Sequence, residues 1–263
     1  MKKTLKYSLI AACMLSTTLV ADNIKVSDVE AKYSAKSNVQ ATKELKQSLN
    51  FGFANTTGNT KTQNINGKYT SAFTTVGYNN QALKVGFDTS VFVTKNDGIK
   101  NNEEYTANLG LEQYITNGWL GYTSVNWLRN EFRNFDNKYS IGAGIGKEVF
   151  NDGQQSLKLK LGVAYNIEKY SNSEADHKFS SLNEYMEYNN KLNQVSNLYV
   201  KLGAAENLKD TSDYDMLGVI GFNFAVAESI SLSIEEEVSY DKVTSAGMKK
   251  TDTKSIVRVG YNF

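Results

Sequence analysis

From Lys43 to Phe263 the side chains alternate between apolar and polar, and the alternation runs to the last residue. Successive side chains of an extended strand point to opposite faces, so a period of two demands strands and gives each an apolar and a polar side. In "LKQSLNFGF", Leu45, Leu49, Phe51 and Phe53 share one face while Lys46, Ser48, Asn50 and Gly52 share the other. In "LKLKLGVAYNI", Leu157, Leu159, Leu161, Val163, Tyr165 and Ile167 oppose Lys158, Lys160, Gly162, Ala164 and Asn166. "YSIGAGIG" sets Tyr139, Ile141, Ala143 and Ile145 against Ser140, Gly142, Gly144 and Gly146. The chain has no proline, and proline lacks the N–H that a ladder needs. Its absence suits a sheet with no free edge.

The pattern predicts about twelve strands, at 43–55, 61–76, 81–95, 103–115, 119–133, 138–150, 156–169, 179–191, 196–208, 214–226, 230–242 and 251–263. The segment at 179–191 is the weakest, blurred by Asn183, Glu184 and Glu187. Connections tend to alternate between tight turns, such as "TNG" at 116–118, and longer charged loops, such as "YSNSEADHK" at 170–178. The expected fold is all-β, a closed antiparallel up-and-down transmembrane β-barrel. A soluble barrel would share the period, with its apolar face inward. Three features select the membrane form. The polar face is rich in glycine and charge, which suits a lumen. Aromatic residues of the apolar face (Phe73, Trp119, Tyr139, Tyr240, Tyr261, Phe263) recur towards strand ends, where a membrane interface would lie. The two loop lengths imply two different surroundings.

Residues 1–21 read as a cleavable signal peptide: Lys2, Lys3 and Lys6 precede a short apolar run that ends at Ala21. "IAAC" also fits a lipoprotein box, which leaves lipidation of Cys13 as the alternative. Cys13 is the only cysteine, so the mature chain would hold neither disulfide nor thiolate metal site. Residues 22–42 are expected to be a polar periplasmic extension, followed by the barrel at 43–263. With 29 basic and 28 acidic residues, charge gives no reason to expect nucleic acid as a partner.

Several stretches together resemble one family: "SLNFGFANTTGNTKTQNINGKYT", the segment "LGLEQYITNGWLGYTSVNWLRNEFRNFDNKYSIGAGIGKEV" with Gly142, Gly144 and Gly146, "LKLKLGVAYNIEKY" and "MKKTDTKSIVRVGYNF". In order and spacing, over 43–263, they are similar to the YdiY-like salt-induced outer-membrane proteins, whose biochemical function is not established. The resemblance implies a location in the outer membrane of a Gram-negative bacterium, a barrel fold and a link to envelope stress. It implies no catalytic residue. The final "VRVGYNF" is similar to the terminal strand by which the barrel-assembly machinery recognises its clients, with Val257, Val259, Tyr261 and Phe263 as its outward residues.

Candidate sites are few. Gly58-Asn59-Thr60 reads as a hairpin turn. His177 is the only histidine, expected in an outer loop near Ser171, Ser173, Ser180 and Ser181; a serine hydrolase would need such a base. Glu174 and Asp176 beside it match no calcium loop. Glu235 and Glu237 lie on one strand face with Asp241 beyond, a spacing that acid–base chemistry could use. Lys158, Lys160, Lys201, Lys254 and Arg258 fall on lumen-facing positions as well. A charge network of Lys158, Lys160, Glu235, Glu237, Lys254 and Arg258 could stiffen the barrel or set the selectivity of a pore. Lys249 and Lys250 fall at the rim of the last hairpin, where lipopolysaccharide phosphates are a candidate partner. No cofactor or metal is expected. The first functional expectation is a structural or envelope role, the second a narrow porin-like channel, and the third a lipid-modifying enzyme.

Overall fold

The computed structural model describes residues 45–57, 63–96, 99–130, 132, 135–170, 175–244 and 249–263. The signal peptide with Cys13, the 22–42 extension and the Gly58-Asn59-Thr60 turn lie outside the described residues. Twelve strands close into one antiparallel barrel. They are β1 (Leu45–Thr57), β2 (Gln63–Val76), β3 (Ala82–Asn96), β4 (Ile99–Thr116), β5 (Trp119–Asn130), β6 (Phe135–Asn151), β7 (Gln155–Tyr170), β8 (His177–Lys191), β9 (Ser196–Asn207), β10 (Tyr214–Ala227), β11 (Ile230–Asp241) and β12 (Thr251–Asn262). Each strand pairs with its sequence neighbours, and β12 returns to β1 with Ser48 opposite Asn262 and Gly52 opposite Arg258. Phe263 completes that seam. Its N–H donates to the Gln47 carbonyl at 3.1 Å, and the Gln47 N–H donates back to the Phe263 carbonyl at 3.2 Å.

The faces sort as the alternation requires, with the apolar side outward. Leu109, Leu111, Val125, Ile141, Ile145, Val163, Val257 and Val259 are exposed, while Asn66, Lys84, Glu104, Lys158, Asn166 and Glu187 are buried. A water-soluble barrel would do the reverse. An apolar exterior over a polar interior is the arrangement that lipid stabilises. Aromatic residues mark the end that carries both termini of the barrel. Trp119, Tyr261 and Phe263 are exposed there, the last two ring-stacked at 6.0 Å. The Lys147 ammonium lies 5.3 Å from the Trp119 ring and donates to the Asn117 carbonyl. Carboxylates interrupt the outer face at several positions. Glu184 is exposed on β8, and Glu236 on β11 accepts a hydrogen bond from the Ser255 hydroxyl at 2.5 Å.

The terminal end carries short turns. Between β4 and β5 the chain reverses at Asn117 (φ 46°) and Gly118 (φ 76°), the two positive φ values of a primed hairpin turn. A Cβ at Gly118 would lie 2.7 Å from the Glu148 carbonyl oxygen, so glycine is required there for space as well as for φ. Between β6 and β7, the Asp152 carboxylate accepts the N–H groups of Gln155 at 2.6 Å and Gln154 at 2.8 Å. These two bonds, Gln155 first, hold the Asp152 carboxyl below the usual aspartate range.

Two local expectations need correction. His177 is the first residue of β8, not a loop residue, because it pairs with Glu168 at the end of β7. Phe135–Asn137, which fell between the strands expected at 119–133 and 138–150, begins β6; Phe135 is buried and stacked on Tyr170 across the ladder, with centroids 5.6 Å apart. The weak segment at 179–191 proves to be a full strand, His177–Lys191.

Candidate functional site

Among the described residues, the polar groups held out of solvent are concentrated in the interior of the barrel. On the β3–β8 side, β4 carries Glu112, β5 carries Leu120 and Tyr122, β6 carries Gly142, Gly144 and Gly146, and β7 carries Lys158 and Lys160. Glu112 accepts from the Lys158 ammonium at 2.9 Å and also from Lys160. These bonds reach from β7 to β4 over β5 and β6, and glycine on β6 keeps the way clear. A Cβ at Gly144 would lie 2.8 Å from the Tyr122 ring, and one at Gly162 2.4 Å from its hydroxyl. The Tyr122 ring therefore lies flat against a glycine patch. Lys160 stands between two rings, 5.3 Å from Tyr122 and 5.2 Å from Tyr185. Lys84 and Glu187, both buried, complete the cluster. Beneath it, towards the short turns, Ala82, Tyr114 and Leu120 pack together with no more than 2 % exposure. This half of the floor is filled.

Nearer the long loops, ion pairs cross the lumen. Lys254 of β12 bridges Glu104 of β4 and Glu237 of β11, each at 3.0 Å, and lies 5.3 Å from the Phe92 ring. Lys138 of β6 meets Glu168 at 2.7 Å and, across the lumen, Asp215 of β10 at 3.6 Å. Side chains from separated walls thus meet.

The other half of the floor is different. There Asn197, Asn223, Asn262, Ser231 and Ser233 surround a chamber of about 80 Å3. Gly260 leaves room for this lining, since a Cβ there would lie 2.3 Å from the Asn50 amide oxygen and 2.6 Å from the Ser231 hydroxyl. Above it, Glu235 accepts from Arg258 at 3.0 Å and from the Tyr199 hydroxyl at 2.7 Å, and Arg258 also donates to the Asn66 amide oxygen at 2.9 Å. Lys68, Lys201, Glu235 and Arg258 face both this chamber and a larger one of about 460 Å3. The larger one shares Asp88, Asn108, Asp215 and Leu217 with a third, of about 490 Å3, which rests on the filled half.

The six charged residues singled out in the sequence all face the lumen, but in three groups. Lys158 and Lys160 share Glu112, Lys254 holds Glu237, and Arg258 holds Glu235. Glu235 and Glu237 therefore serve different cations and do not act as a carboxylate pair. Lys201 lies 5.2 Å from the Tyr199 ring. Sequence reasoning missed Lys84, Glu104, Glu112, Tyr122, Tyr185 and Glu187. Parity along each strand places all of them inside, and that signal was available. Val257, Val259, Tyr261 and Phe263 are exposed outside on the closing strand and its end. Lys249 and Lys250 are exposed in the connection between β11 and β12. The His177 ring stacks on Phe179 at 4.6 Å, with Nδ1 3.5 Å from a Glu168 oxygen. Among the described residues, no group of three or more His, Cys, Asp or Glu is placed to hold a metal ion.

A family model described as "Protein of unknown function, DUF481" matches residues 49–263. Among solved structures, an outer membrane channel from Pseudomonas putida F1 superposes with a TM-score of 0.56 at 9% identity, covering 86% of this chain and 97% of that one. The NanC porin gives 0.54 at 7% identity, over 81% and 98%. The outer membrane phospholipase of Salmonella typhi, a dimer with bound calcium, gives 0.51 at 12% identity, over 81% and 90%. At these identities the likeness is one of fold: an outer-membrane barrel. No curated protein matches the chain.

Proposed function

Since the chain belongs to the family described as "Protein of unknown function, DUF481", whose description assigns no activity, we propose that it is a narrow pore of the Gram-negative outer membrane, passing ions and small polar solutes. The observation that carries this reading is the file of three chambers that abut through shared lining residues, with the smallest and most polar, about 80 Å3, at the short-turn end. Short turns face the periplasm in barrels of this kind. On that orientation the filled half-floor and the small chamber together set the size limit. Two large chambers above them form a wide outer vestibule. Neighbours of the same fold include a porin and a channel, which agrees with this reading.

The test is conductance of the purified barrel in a planar lipid bilayer. Small, uniform steps are expected. A bilayer that stays silent at every protein concentration overturns the pore.

One observation favours a second reading, a structural envelope role: the ion pairs Lys138–Asp215 and Lys254–Glu104 tie separated walls together. A silent bilayer would leave that reading standing. An enzymatic role gains less support, because His177 contacts Phe179 and Glu168 and faces the lumen rather than the lipid. Outer-membrane lipid, lipopolysaccharide phosphates at Lys249 and Lys250, and the assembly machinery at Val257, Val259, Tyr261 and Phe263 are the partners this reading implies. A response to salt, implied by the resemblance to YdiY-like proteins, belongs to it too and is tested by expression at raised osmolarity.

A further inference from the structure

The narrowest part of the lumen differs in charge from the chamber above it. The small chamber is lined by three cations, Lys68, Lys201 and Arg258, against one carboxylate, Glu235. Apart from those four shared residues, the 460 Å3 chamber carries the carboxylates Asp88, Glu104, Asp215, Glu237 and Asp241 against two lysines, Lys138 and Lys254. The sign of the lining thus reverses between the wide part and the narrow part.

Two side chains show what the narrow part can hold. Asn197 is 1% exposed and lines the chamber, and its amide oxygen has no hydrogen-bond partner among the described residues. A buried amide in that state needs a mobile donor, and 80 Å3 exceeds the ~10–15 Å3 that one water requires. The chamber is therefore wet. Lys68 looks into both chambers, and among the described residues its ammonium has no ion-pair partner within 4 Å. The Arg258 guanidinium is shared between Glu235 and Asn66, so a second cation stays in place beside it.

Resting on the pore reading above, we infer that the small chamber is an anion filter, where small inorganic anions exchange part of their hydration for Lys68 and the surrounding amide and hydroxyl groups. Selectivity is decided where a path is narrowest, because an ion there cannot keep its full water shell and low-dielectric walls focus the field. In the wide chamber Lys254 holds Glu104 and Glu237 at 3.0 Å and Lys138 stands 3.6 Å from Asp215, which weakens the hold of these carboxylates on a passing ion. Lys201 and Arg258 repel cations from the same constriction.

Reversal potential across a bilayer in a potassium chloride gradient tests the filter. The wild-type barrel is expected to prefer chloride. Lys68→Glu should reverse the sign of the potential, and Ser233→Asp, which puts a carboxylate opposite Arg258 in the ladder, should move it the same way. The double change Lys249→Gln, Lys250→Gln at the outer rim should leave it unmoved. Preference for potassium in the wild type, or a potential that neither lumen variant shifts, overturns the filter while leaving the pore intact. Absence of any conductance overturns both.

Discussion

The two halves of the barrel floor solve the same problem in opposite ways. Under β3–β8, Tyr114 and Leu120 are fully buried and a cluster of lysines and carboxylates is folded over glycine. Under β9–β12 and β1, small amides and hydroxyls enclose water-sized space. The difference lies in what stands opposite each glycine. At Gly144, Gly146 and Gly162 a Tyr122 or Leu120 side chain fills the position. At Gly260 the space goes to Asn50 and Ser231, which are too short to close it. A closed barrel can thus be filled over one part of its cross-section and leave water-sized space over the rest.

The largest effect that would break this contrast is expected from Glu112→Gln. It leaves Lys158 and Lys160 in the filled half without the carboxylate that both contact, at a cost of about 3–5 kcal/mol. The counterpart Glu235→Gln keeps an acceptor for Arg258 beside a wet chamber and should cost about 1–2 kcal/mol. Equilibrium urea unfolding in lipid vesicles measures both, and equal losses would erase the distinction. Next comes Leu120→Ala. Removing a fully buried side chain should cost about 2–4 kcal/mol and should also raise the unit conductance, because the filled half would begin to leak; stability loss at unchanged conductance would show that the seal does not depend on Leu120. The smallest effect concerns the turns beneath the two halves. Asp152 holds the β6–β7 turn through its carboxylate, whereas Asn193 holds the β8–β9 turn through an amide that accepts the Val195 N–H at 2.9 Å. The Asp152 carboxyl titrates below its unfolded value, so its contribution is present above the usual aspartate range and is lost as pH falls through the depressed value. Hydrogen exchange at Gln154 and Gln155 should speed up in acid, beyond the intrinsic change, while Val195 keeps its protection.

Alternation made the barrel, its strand count and its inside-out sorting legible, because a one-residue slip would turn every side chain to the wrong face. It also placed Lys158, Lys160, Glu235, Glu237, Lys254 and Arg258 towards the lumen. It could not say which of them meet. Lys254 and Glu237 are direct ladder partners, yet Lys254 also reaches Glu104 on a strand four places round the ring. That contact depends on stagger and radius, which period two does not encode. β8 was hard to see for a related reason. Its inner face runs His177, Phe179, Ser181, Asn183, Tyr185, Glu187, and its outer face includes Glu184, so neither side is cleanly apolar. A lumen-lining strand is stabilised by its ladder and its interior partners, which a hydropathy pattern does not record.

The seam between β1 and β12 carries a consequence for how the molecule forms. Every other ladder joins strands adjacent in the chain and can zip locally, one hairpin at a time. The seam alone must bring Gln47 to Phe263. Loop-closure entropy grows only by about 0.6 kcal/mol per doubling of length, so relative to a tight hairpin turn this closure costs ~3–4 kcal/mol more, which the register from Ser48–Asn262 to Thr57–Thr253 can offset. Its contact order, however, is the highest in the molecule, and contacts of that kind form slowly. The β1–β12 seam is therefore expected to close last, and a barrel caught midway in folding is an open sheet in which Gln47 and Phe263 have yet to meet.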